Sequence, residues 1–89
     1  MTTVALPQRL TMSEAAAELT RLQPLLQAAD EPVLDASALQ ALDTAALALL
    51  LACQRQAAAA GGRTLRLSNP PAKLSQLARL NGMESLLGL

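Results

Sequence analysis

The stretch VLDASALQALDTAALALL, residues 33–50, sets the fold class. Residues 33–35, Val-Leu-Asp, read as a short central strand that continues toward Ser37: two apolar residues, then an aspartate at the turn. Residues 37–42 read as a connection with two buried leucines, Leu39 and Leu42. Asp43 is a strong N-cap residue, because its carboxylate can accept a backbone N–H that has no intrahelical partner in the first turn. Residues 44–60 are dominated by Ala, Leu and Gln, all good helix formers, and Gly61 and Gly62 end the helix. A strand followed by a helix is the repeating step of an α/β domain.

On the N-terminal side, residues 2–10 carry a weak strand signal in Val4, Leu6 and Leu10. Pro7 has no N–H to give to a ladder, so this segment is expected as an edge strand or as two short pieces. Thr11 and Glu14 have the spacing of a capping box, with Ser13 a rival cap. The helix that follows runs to about Ala29, because Ala15, Leu19, Leu22, Leu26 and Ala29 recur on one face. Pro24 predicts a kink, or a division near Gln23. On the C-terminal side, residues 64–67 alternate polar and apolar, a strand with Leu65 and Leu67 facing in. Asn69-Pro70-Pro71 stops that strand and starts a helix, with Ser68 or Asn69 as its N-cap. Leu74, Leu77 and Ala78 form its stripe, Asn81 and Gly82 end it, and residues 83–87 make a last helical turn. The order is strand, helix, strand, helix, strand, helix, helix. It predicts one α/β domain over residues 1–89, with a mostly parallel or mixed sheet of about four short strands and helices packed on it.

Composition narrows the chemistry. Seven Lys plus Arg balance seven Asp plus Glu in 89 residues, so no excess of cations attracts nucleic acid. The chain has no histidine and no aromatic residue, which removes histidine base catalysis, His-ligated metals and base-stacking platforms. The lone Cys53 excludes an internal disulfide and a multi-cysteine metal site. Its place in an apolar helical run reads as inert core. The longest apolar run, residues 45–53, is about half of a membrane span, and the N-terminus has no basic segment ahead of an apolar one. The expectation is a soluble cytoplasmic protein, without cofactor or metal, that works by binding another protein and not by catalysis.

Few residues offer chemistry. A reading of Asp35 and Asp43 as paired carboxylates is weaker than a turn for the first and a helix cap for the second. Gly61-Gly62 follows a helix instead of opening one, so it is not a phosphate loop. Thr44 stands out: its hydroxyl lies in the first turn of the longest helix, where free N–H groups and the positive end of the macrodipole meet. The helix behind it is apolar on every side over residues 45–53. Leu47, Leu50 and Leu51 can face the sheet. Ala46 and Leu49 are expected on the Thr44 side, against a neighbouring helix or a partner protein. The expected partner face is therefore Asp43, Thr44, Ala46 and Leu49, supported by Asp35, Ser37 and Leu39.

The run Leu42-Asp43-Thr44-Ala45-Ala46-Leu47 after Val33-Leu34-Asp35 resembles the signature of STAS domains, in which a strand ends in Asp and Asp-Ser/Thr-Ala/Ser-Gly opens a helix. Thr64-Leu65-Arg66-Leu67 fits the family's next strand, and Leu74, Leu77, Leu80, Gly82, Met83 and Leu86-Leu87 fit its ending. Ala46 departs from the glycine that many members carry, and Pro7 interrupts the first strand region. The resemblance implies a STAS fold and a role in protein–protein interaction. The short chain and its ending are most similar to MlaB-type STAS subunits of phospholipid-transport ABC complexes, which maintain outer-membrane lipid asymmetry. On that likeness the partner is the transporter's ATPase subunit, the membrane is reached only through the complex, and Thr44 lies in the interface. The alternative within the family is an anti-sigma factor antagonist, with an anti-sigma factor or kinase as partner and Thr44 as the phosphorylated residue.

Overall fold

The computed structural model describes residues 2–59, 61–62 and 64–89. Strands β1 (Thr2–Ala5) and β2 (Arg9–Leu10) precede helix α1 (Met12–Ala28), and strands β3 (Pro32–Asp35) and β4 (Ala41–Leu42) precede helix α2 (Thr44–Ala59). Strand β5 (Arg66–Ser68) leads to helices α3 (Ala72–Leu80) and α4 (Glu84–Leu87). One sheet has the order β1-β3-β5, the other pairs β2 with β4, and each pairing is parallel. The α/β class and the parallel sheet agree with the sequence reading, with five short strands in two sheets in place of about four in one.

The register places β3 at the centre. Val4 pairs with Leu34, and Leu34 with Leu67, so these side chains share one face of the sheet. Pro32 occupies the first position of β3, where a missing donor costs least. Pro7 divides the N-terminal segment into two pieces, β1 and β2. Arg9 and Leu10, the second piece of the expected N-terminal strand, pair with Ala41 and Leu42, which the sequence suggested only as part of a connection. Leu10, Leu39 and Leu42 are buried there.

Helix α1 is not divided at Pro24. The exposed proline turns its ring toward solvent, while Leu22 and Leu26 on either side are fully buried and hold both halves on one core. Tertiary packing therefore outweighs the lost N–H donor, whose cost in a helix interior is about 3 kcal/mol. Pro24→Ala is expected to raise stability by about 1–3 kcal/mol in a urea titration with an unchanged slope.

Helix α2 carries the centre of the core: Ala46, Leu47, Leu49, Leu50, Cys53 and Ala57 are buried along it. The expected end at Ala60 lies outside the described residues, and Gly61 follows with φ +109°, a conformation that favours glycine. Strand β5 begins two residues later than expected and includes Ser68, with Leu65 and Leu67 half-buried. Pro71, not Ser68 or Asn69, is the N-cap of α3, and no side chain caps it. Asn69 sits at φ 53° and donates its side-chain amide to Asp35 at 3.1 Å, which takes it out of the capping position.

Candidate functional site: the corner where two helices begin

The starts of α1 and α2 meet at one carboxylate. Asp43 caps α2 as expected: its Oδ1 accepts the Ala45 N–H at 2.8 Å. Its Oδ2 accepts the Met12 N–H, the first of α1, at 3.1 Å. The rest of the α1 start is satisfied locally. Glu14 accepts the Thr11 N–H at 3.0 Å and the Thr11 hydroxyl at 2.6 Å, and the Thr11 hydroxyl accepts the Ser13 N–H at 3.4 Å. Thr44 is exposed beside this junction, and Met12 presents its side chain to solvent at 80% exposure.

Both helices leave the corner together. Between them runs an open apolar groove of about 240 Å³, lined by Ala15, Ala16 and Leu19 of α1 and by Ala45, Ala48, Leu49 and Ala52 of α2. Small side chains keep it shallow. Ala15, Ala16 and Met12 were not among the expected site residues. Ala15 reads in the sequence only as part of the apolar stripe of α1, and nothing in the sequence marks Met12 or Ala16.

The expected partner face needs correcting. Ala46 is 0% exposed and Leu49 is 3% exposed, so neither presents a side chain to an incoming partner. The reason is angular: at about 100° per residue, Leu49 lies about 140° and Ala46 about 160° round the helix from Thr44. Leu51, about 20° from Thr44 and half-buried, lies on the Thr44 side and not squarely on the sheet, with Ala48 and Ala52 at about 40° and 80°. Leu49 reaches the groove only as its floor. Both Ala46 and Leu49 belong to the domain's own buried core, and Leu49 lies where α1 and α2 pack together. Asp43 is half-buried at the corner and Thr44 is exposed there.

The supporting residues form a separate cluster. Asp35 accepts the Ser37 N–H at 3.0 Å, the Ser37 hydroxyl at 3.1 Å and the Asn69 amide at 3.1 Å. Ser37 is exposed, but Leu39 is buried and cannot line a surface. Asp35 and Asp43 are occupied by different donors and do not act as a carboxylate pair. Among the described residues no group of three or more His, Cys, Asp or Glu side chains is placed to hold a metal. Burial pushes the Cys53 thiol up to about 11, which keeps it protonated and unreactive at neutral pH.

Two carboxylates titrate below the ordinary range. Hydrogen bonds from the Thr11 hydroxyl and N–H hold Glu14 down. The Asn69 amide, then the Ser37 N–H and hydroxyl, hold Asp35 down. A depressed carboxylate adds stability that is present above its unfolded pKa and is lost as pH falls through its folded pKa. The thermal midpoint is therefore expected to be flat down to about pH 5 and to fall below about pH 4. Asp35→Asn should remove part of that fall, which a melting series across pH checks.

A profile of the family described as "Mlab, STAS domain" matches residues 1–88, nearly the whole chain. The chain belongs to this STAS family. No curated protein matches it by sequence. Among solved structures it is similar to the unphosphorylated form of the anti-sigma factor antagonist SpoIIAA, at 18% identity and a TM-score of 0.72, over 96% of this chain and 75% of that one. At that identity the likeness is one of fold. Ala46, which the family resemblance set against a glycine, is fully buried, so the core accepts a methyl group at this position.

Proposed function

We propose that this STAS protein is a non-catalytic subunit that binds and regulates the ATPase of a phospholipid-transport ABC transporter of the Mla type. It acts in the cytoplasm and sits at the inner membrane only through that complex. The observation that carries this reading is the corner itself. An exposed threonine and an exposed methionine stand at the head of an apolar groove, with Asp43 fixing both helix starts behind them. Such a surface suits recognition by a protein, since apolar exposed patches on small domains mark interaction sites. The family description supports the transport assignment. No helix among the described residues is long and apolar enough to cross a membrane, so in this reading the transporter makes the membrane contact.

The SpoIIAA-like fold and the exposed Thr44 favour a second reading, a signalling switch in which a kinase phosphorylates Thr44. A titration and a labelling experiment separate the readings. Calorimetry with the purified transporter ATPase from the source organism should give saturable binding at micromolar concentration or tighter. Absence of binding, together with label on Thr44 from radioactive ATP and a partner kinase of the source organism, would replace the first reading by the second.

A further inference from the structure

We infer that Asp43 is a positioning residue that joins the start of α1 to Thr44, so that a charge placed on Thr44 is felt at Met12. The inference deepens the reading of Thr44 as the recognition point. The α1 start has four N–H groups without helical partners. Three are satisfied within residues 11–14: Thr11 N–H donates to the Glu14 carboxylate, Ser13 N–H to the Thr11 hydroxyl, and Glu14 N–H to the Thr11 carbonyl. The fourth, Met12 N–H, goes to Asp43, 31 positions away in sequence.

Asp43 serves both helices because a carboxylate has two acceptor oxygens, one at each helix start. An asparagine has a single oxygen. It can still cap α2, where Asn ranks with Asp, but its amide nitrogen cannot accept the Met12 N–H. Each helix start presents a positive dipole end, and the carboxylate answers both. Glu14 and Asp43 are close enough for their charges to repel, while Arg9 attracts Glu14, so the corner responds to added charge. A negative group on Thr44, the first residue of α2, repels the Asp43 carboxylate and competes for the N–H groups of the same turn. The Oδ2 contact to Met12 is the exposed, longer one of the two, and it is the one that gives way.

The consequence is that Met12 and Thr44 form one surface with a shared state. Modification or burial of Thr44 changes the order of the first turn of α1, at the head of the groove.

Residue-resolved amide exchange by NMR on the full chain tests this without any partner. In Asp43→Asn, the amides of residues 12–15 should exchange about tenfold faster, while those of Ala45 and Ala46 stay within about twofold. Thr44→Glu should move the same α1 amides in the same direction by a smaller factor. Asp35→Asn, which touches neither helix start, should leave them unchanged. The inference is overturned if either of the first two variants leaves the Met12 amide as in the parent chain, or if Asp35→Asn moves it equally. Because only the free chain is measured, failure here leaves binding at Thr44 intact. A Thr44→Glu chain that still binds its partner leaves the junction intact.

Discussion

Thr44→Glu is expected to weaken partner binding by a factor of about 100 or more, while the thermal midpoint stays within a few degrees of the parent chain. The two effects separate because they depend on different surroundings. In the free chain Thr44 is exposed, so a new carboxylate stays hydrated. It also sits at the positive end of α2, where an anion is worth about 0.3–1 kcal/mol in favour of the helix. Against a bound partner the same carboxylate is pressed beside Met12 and an apolar groove, with Asp43 close behind. An unpaired charge trapped in an interface costs roughly 2–5 kcal/mol. Thr44→Ser keeps the hydroxyl and should bind nearly as the parent does. Calorimetry paired with a melting curve checks both halves. Equal affinity of the Glu variant and the parent would place the interface elsewhere.

Leu50→Ala is expected to cost about 2–5 kcal/mol, which for a domain of this size is a large share of its total stability. Leu50 is 2% exposed and belongs to the same buried cluster as Leu34 of the central strand. Removal of its side chain opens a cavity between helix and sheet, and the neighbours cannot all collapse into it because β3 is fixed on both edges by β1 and β5. The comparison residue on the same helix is Ala48, which is exposed on the groove side. Ala48→Ser should change stability by less than about 0.5 kcal/mol. A urea titration reads both variants. A loss below about 1 kcal/mol for Leu50→Ala would show that this face of α2 does not bury as described.

What the sequence makes legible here are its local contracts. Thr11 with Glu14, and Asp43 ahead of an alanine-leucine run, announce two helix starts, and both caps form. The central strand and its aspartate are equally plain, because β3 needs only apolar residues followed by a turn. What depends on distant residues is hidden. A pairing of two residues with two, as in β2 with β4, is too short to leave a period. Asn69 reads as a cap until Asp35, far away in sequence, takes its amide. Pro24 reads as a break until the burial of Leu22 and Leu26 is known.

The candidate site shows the same division. Thr44 and Asp43 are recognisable because their position at the helix start defines their chemistry. Ala46 and Leu49 are misplaced because an all-apolar helix gives no polar face from which to orient it. Met12 is not legible as a site residue, since its link to the start of α2 runs through a carboxylate 31 positions away in sequence.

The most direct test of the central idea is a hydrogen-exchange footprint of the chain in complex with its ATPase partner. Slowed exchange at residues 12–16 and 44–48, with little change at β5 and α4, is the predicted result. Protection confined to β5 and α4, with the corner of Met12 and Thr44 exchanging as in the free chain, would contradict it.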